Sequence, residues 1–255
     1  LNAPNTQAHI RQAAAVFFKN LVKNHWDNEA NNSIPQTLKT QLRDSLLSLF
    51  LNAPDAVQAQ LCEAISLIAA HDFPNTWDSL LPILVAQLDA AIGDAVPAPA
   101  RDYRKGRALL LIAHALFRRY RHAFKSDELF REIKYALGLI HAPLLRLFKA
   151  ACADLAAAAA QPEQCRVVLA ALTTMVALHH DLVAQDLPEE VEDHFKAWME
   201  GFAELLAYAH PALAADDDDA EPSLISVLQA EVVEVLSLHL AKDEEVFNDF
   251  LPECL

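Results

Sequence analysis

The stretch His71-Asp-Phe-Pro-Asn-Thr-Trp-Asp-Ser-Leu-Leu-Pro-Ile-Leu84 (HDFPNTWDSLLPIL) decides how this chain is read. It sets an acid, an aromatic, a proline and a tryptophan between two apolar segments with helical spacing. As chemistry it is poor, because it has no nucleophile beside a base, no glycine for a phosphate loop and a single histidine. As architecture it is a junction between helices. Asp72 is placed to cap orphan N–H groups and Pro74 suits a first helical turn. Phe73 and Trp77, four residues apart, are placed to pack beneath the incoming helix and fix its angle.

Working outward, the segment before the junction presents Val57, Leu61, Ala64, Ile65 and Ile68 on one face of a helix over 54–70, with Gln60 and Glu63 on another. Ile10, Ala13, Ala14, Phe17, Phe18, Leu21 and Val22 follow the same rule over 10–25. Leu38, Leu42, Leu46, Leu49 and Phe50 do so from Pro35 to the break at Asn52–Pro54. Beyond the junction, helices are expected near 75–92, 101–122, 127–150, 162–183, 188–208, 223–241 and from 243 to the end. They are separated by GDAVPAPA (93–100), a turn at Ser126, AAAAAQPEQ (156–164), a turn before Pro188 and HPALAADDDDAEP (210–222). Helix pairs thus recur roughly every 40 to 60 residues, near the HEAT period once loop insertions are allowed for. One pair cannot bury its apolar face alone, so the expected fold is all-α, an α-α superhelix (HEAT-repeat solenoid) of about ten antiparallel helices in stacked pairs.

Composition agrees. The 255 residues are 53% hydrophobic with 4 glycines and 7% aromatics, a balance that favours helix over sheet. Cys62, Cys152, Cys165 and Cys254 form no C-x-x-C pair, which argues against a zinc site or redox motif and fits a reducing compartment. The apolar run VVLAALTTMVALHH (167–180) falls short of the roughly 20 residues of a membrane span, so helices buried on two sides are expected and no membrane insertion. No initiator Met, signal or transit segment opens the chain, and a piece of something longer is expected. Net charge is −15, divided as +1 over residues 1–130 and −16 over 131–255. An acidic half disfavours nucleic acid and anionic membrane and permits a basic protein partner; a solubilising surface is the plainer alternative.

IRQAAAVFFKNLVKNHW (10–26) resembles the amino-terminal domain of the importin-β superfamily, and LCEAISLIAAHDFPNTWDSLLPILV (61–85) resembles its D-F-P-x-x-W repeat junction. RYRHAFKSDELFREIKYAL (119–137) and LPEEVEDHFKAWMEGF (187–202) are most similar to the importin-α re-exporters within that superfamily. The Ala-rich loop 150–160 and the loop carrying Asp216 to Asp219 depart from the pattern. The resemblance implies HEAT repeats of importin-β amino-terminal type over 1–92, incomplete at the start, and further repeats of an exportin solenoid over 93–255, truncated at the end. It implies an export receptor that binds RanGTP and cargo-free importin-α, passes nuclear pore proteins and shuttles between nucleus and cytoplasm. The nucleotide chemistry would be Ran's, so neither enzyme activity nor a cofactor is expected here. An import receptor of the same superfamily and a static HEAT scaffold are the rival readings.

In this family the second helix of each pair lines the inner face. The resemblance therefore makes Lys19, Lys23, Gln60, Glu63, Arg104, Lys105 and Arg107 candidates for the Ran or partner contact. The plain alternative for each is a solvated charge on an amphipathic helix. His179, His180 and Asp181 are not read as a metal or general-base set, because adjacent helical residues point apart and no second ligand cluster stands at i, i+4. Asp216 to Asp219 lack the spaced pattern of a calcium loop and read as a self-repelling loop tip.

Overall fold

The computed structural model describes residues 7–27, 32–185, 189–213 and 222–242. Over these the chain is helical: α1 Ala8–His25, α2 Gln36–Leu51, α3 Asp55–Asp72, α4 Leu80–Ile92, α5 Tyr103–Phe117, α6 Asp127–Ala157, α7 Pro162–Val183, α8 Glu189–Glu192, α9 Phe195–Ala207 and α10 Leu224–Lys242. Short 3-10 turns stand at Ala98–Ala100, Arg118–Arg121 and Pro211–Leu213. The expected final helix from 243 and the Asp216 to Asp219 tip lie outside the described residues.

The helices stack in two rows. α1, α3, α5, α7 and α10 pack one on the next, while α4, α6 and α9 form the other row. The pairs are α2 with α3, α4 with α5, α6 with α7 and α9 with α10. This is the expected superhelix of stacked pairs. Helices in the middle of such a stack have neighbours on several sides, and their sequences show it. α7 buries Val168, Leu169, Leu172, Met175, Val176, Leu182 and Val183, leaving little polar face. The period is also visible in the polar cross-links, which join residues about one repeat apart. Trp26 Nε1 donates to Asp72 across 46 residues, Ser66 Oγ to the Ala115 carbonyl across 49, Tyr103 Oη to Asp154 across 51, and Trp198 Nε1 to His141 across 57.

Three expectations need correction. First, Asp72 does not cap the following helix. It is the last residue of α3, and its carboxylate accepts from Arg43 Nη1 at 2.9 Å and Trp26 Nε1 at 3.1 Å, tying α3 to α2 and to the end of α1. Pro74 likewise does not open a helix: the Phe73–Pro74 peptide is cis, residues 73–79 form a turn, and α4 starts at Leu80. Phe73 and Trp77 are nonetheless buried as expected, Phe73 meeting Phe117 in the next pair edge-on at 5.9 Å and Tyr135 on α6, one pair further on, at 5.9 Å.

Second, helix ends shift. α6 runs on to Ala157 because alanine is the best helix former, so the Ala run continues the helix it was expected to end. The segment expected as one helix over 188–208 is interrupted between Glu192 and Phe195. Third, α6, α7 and α10 are each long and apolar enough to cross a membrane by length and composition, contrary to the shortfall read from 167–180. In α7 and α6 much of that apolarity goes into packing, with 67% and 50% of the apolar stretch buried within the fold, whereas in α10 only 33% is.

Candidate functional site

The row α1–α3–α5–α7–α10 presents one continuous face, and all seven candidate residues fall on its first three helices. Lys23, Arg104 and Arg107 are exposed; Lys19, Gln60, Glu63 and Lys105 are half-buried. The fold does not gather them into one site. Arg104 and Arg107 share a groove of about 490 Å³ across α3, α5 and α7, walled further by Asp55, Cys62, Tyr103 and Arg166. The others stand outside it. Lys19 and Lys23 belong to α1, Glu63 is paired with Arg118 at 3.1 Å, and the backbone N–H of Lys105 donates to the helix cap Asp102 at 3.0 Å.

The groove's lining mixes apolar Phe50, Ala108, Leu111, Val167 and Ala170 with Arg104, Arg107 and Arg166 and the acids Asp55 and Glu163, Arg166 being paired with Glu163 at 3.5 Å. Cys62 is no nucleophile: burial pushes its thiol up to about 11, the Arg118 charge opposing and the Glu63 charge adding to the effect. Tyr103, fixed by Asp154 at 2.6 Å, is raised in pKa first by burial and then by that carboxylate.

Further along the row lies an ionic cluster that local sequence patterns do not reveal. Asp181 is fully buried. One oxygen lies 2.6 Å from His114 Nδ1 on α5, and the other accepts from Arg121 Nε in the turn Arg118–Arg121. Arg121 also donates to the Ala177 carbonyl at 3.0 Å and to Glu231 on α10 at 3.2 Å. Glu231 is held below the usual carboxylate range chiefly by its hydrogen bond with His180, and then, against burial, by Arg121. The sequence signal was three arginines within four residues, but their partners lie 55 to 110 residues away for Arg118 and Arg121.

His180, Glu231 and Glu234 do bring three ligand-type atoms within 4.8 Å of one another, a second cluster the sequence reading did not find. Arg121 already supplies a fixed positive charge to Glu231, so the group is complete as an ion-pair cluster. His179 faces the other way, into the core. It stacks on Trp198 at 4.0 Å and meets His239 Nε2 at 3.4 Å. Burial, followed by the neighbouring histidines, pushes its pKa well below 6.5.

Comparison with known proteins adds what geometry alone does not. Residues 116–255 match the family model described as Cse1, and residues 1–52 match the importin-beta N-terminal domain. Exportin-2 of Oreochromis niloticus is 35% identical over 245 residues, covering 95% of this chain and 24% of that protein. The importin-alpha re-exporter of Schizosaccharomyces pombe is 34% identical over 242 residues, 94% of this chain and 24% of its own length. The chain thus spans about a quarter of the length of these curated relatives. Among solved structures, the exportin Cse1 in its cargo-free, cytoplasmic state is similar with a TM-score of 0.88 and 30% identity, over 98% of this chain and 26% of that one.

Proposed function

The chain belongs to the Cse1 family, and from that premise we propose that it is the amino-terminal part of a nuclear export receptor. It binds RanGTP and cargo-free importin-α and carries importin-α from nucleus to cytoplasm past nuclear pore proteins. It works by binding and change of shape, without catalysis, nucleic acid or membrane insertion; GTP hydrolysis belongs to Ran. The observation that carries this reading is the order of the two matches, importin-beta N-terminal domain first and Cse1 after it, along one uninterrupted row of helices.

Residues 1–92 supply the amino-terminal repeats in this reading and 93–255 the first repeats of the exportin solenoid. The candidate Ran contacts remain Lys19, Lys23, Gln60, Glu63, Arg104, Lys105 and Arg107, now as successive rungs on α1, α3 and α5. Arg104 and Arg107 are the best placed, since both are exposed at the groove and neither has an ion-pair partner among the described residues. The acidic second half of the chain suits importin-α as a basic partner.

The test is capture of purified importin-α by the full-length receptor with and without GTP-locked Ran, alongside an Arg104→Glu, Arg107→Glu variant. An exporter captures importin-α only with Ran, and the variant loses Ran. Capture that ignores Ran would mean a scaffold, and cargo released by Ran an import receptor.

A further inference from the structure

Three arginines leave one short turn in three directions. Arg118 Nη2 reaches Glu63 on α3, in the pair before, at 3.1 Å. Arg119 Nη2 donates to Glu132 on α6, in the pair after. Arg121 reaches furthest, to Asp181 and the Ala177 carbonyl on α7 and to Glu231 on α10. The turn itself cannot swing with its side chains. Tyr120 is buried with its hydroxyl donating to Glu132 at 2.7 Å, and Gln185 Nε2 donates to the carbonyls of Tyr120 and Ala123.

In a stacked-repeat protein each repeat contacts its immediate neighbours. The Arg121–Glu231 bond departs from that rule. It joins the α4–α5 pair to the α9–α10 pair, 110 residues on, over the intervening α6–α7 pair. Packed helices stand about 8–10 Å apart, so α5 and α10 in a straight row are separated by roughly twice that. The bond spans that distance because the turn Arg118–Arg121 packs on α7 and the guanidinium, held at the Ala177 carbonyl, stands beside α10, so splaying the row open on this face would break it. Its inner arm is firmly held: withdrawing Arg121 would leave the fully buried Asp181 carboxylate with the His114 imidazole in place of a permanent cation, which is strongly unfavourable. Its outer arm is accessible, Arg121 and Glu231 each keeping 21% of their side-chain surface.

We propose that the turn Arg118–Arg121 is a curvature latch, with the Arg121–Glu231 bond as its catch, setting the bend of the helix row over three successive pairs. A carboxylate or phosphate of whatever docks on this face competes with Glu231 for the outer nitrogen of Arg121, and so releases the bend without unfolding a repeat. The latch rests on contact geometry and does not depend on the transport reading.

Small-angle X-ray scattering of the 255-residue chain, with circular dichroism as the check on helix content, tests it through four variants. Glu231→Met, which removes the acceptor of the catch and spares Asp181, raises the radius of gyration at unchanged helicity. Arg121→Met raises it at least as much and lowers the melting temperature; if that variant fails to fold, Glu231→Met decides alone. Arg118→Met, which breaks an exposed pair between immediate neighbours, keeps the wild-type radius, and so does His180→Ala, which removes the other partner of Glu231. A wild-type radius for Glu231→Met overturns the latch, as does an equal expansion in Arg118→Met or His180→Ala.

Discussion

Gly138 and Gly201 both lie inside helices, yet replacing them by alanine should act in opposite directions. A Cβ at Gly138 meets nothing within 4 Å, so Gly138→Ala gains helix propensity and stabilises by about 0.5–1 kcal/mol. A Cβ at Gly201 would stand 2.4 Å from Phe148 Cε1, in an aromatic cluster with Trp198 and Phe202, so Gly201→Ala should lower the melting temperature despite the same gain. Trp77 is 5% exposed, and Trp77→Ala should cost about 3 to 5 kcal/mol in chemical unfolding. Loss of Ran binding at an unchanged melting temperature would instead make Trp77 a contact residue. The buried histidines impose a pH dependence. Burial holds His239 down to about 4 and His179 well below 6.5, so both are neutral in the fold but protonate near 6.5 once unfolded. Stability is therefore full above pH 6.5 and falls as the pH drops toward 4, each group removing about 1.4 kcal/mol per pH unit. Melts from pH 7 to 5 should show this slope, and His179→Phe, which keeps the stack on Trp198, should flatten it. A flat wild-type profile would mean that the two imidazoles take up protons in place.

At the scale of elements, what was legible was whatever local spacing encodes. α7 appears over Pro162–Val183, the range its apolar periodicity and first-turn proline indicate, and α6 starts where Ser126 Oγ accepts from the Leu129 N–H at 3.1 Å. The failures have physical causes of a different kind. Asp72 looked like a cap because its neighbours in sequence are a turn and a helix, but its partners are Arg43 and Trp26, 29 and 46 residues upstream. Sequence spacing makes the turn Arg118–Arg121 the end of a longer helix over 101–122, since its three arginines suit a helix surface as well as a hub. Asp181 stands beside two histidines in sequence, and nothing local says that α5 and that turn converge on it, or that α10 joins them through Arg121. The seven candidate residues, chosen by resemblance, all fall on one row of helices. Which of them share a groove depends on tertiary packing, and only Arg104 and Arg107 do.

For the molecule as a whole, a receptor that coils around two partners makes each raise the other's affinity by the same factor. If the proposed function holds, full-length protein binds importin-α tightly only with RanGTP, while residues 1–255, which span about a quarter of the relatives' length, bind each weakly and independently. Residual importin-α binding should come from the acidic half and fall steeply with salt. Titration at low and high salt, with and without RanGTP, measures both; tight, salt-insensitive binding by this chain would refute the scheme. One feature of the stack bears on where such a receptor yields. α6, 31 residues and about 46 Å long, is fastened to the preceding pair along its length. Glu132 takes Tyr120 and Arg119, Arg146 takes Asp89 and Asp94, and Asp154 takes Arg101 and Tyr103. In mechanical terms it is a beam fastened most firmly at its two ends, by the partly buried ties at Glu132 and Asp154, and only loosely at mid-span, where Pro143 interrupts the helix hydrogen bonds and the Arg146 pairs are exposed. Load applied by a partner is then expected to be taken up first at that mid-span and at the joints on either side of the two linked repeats.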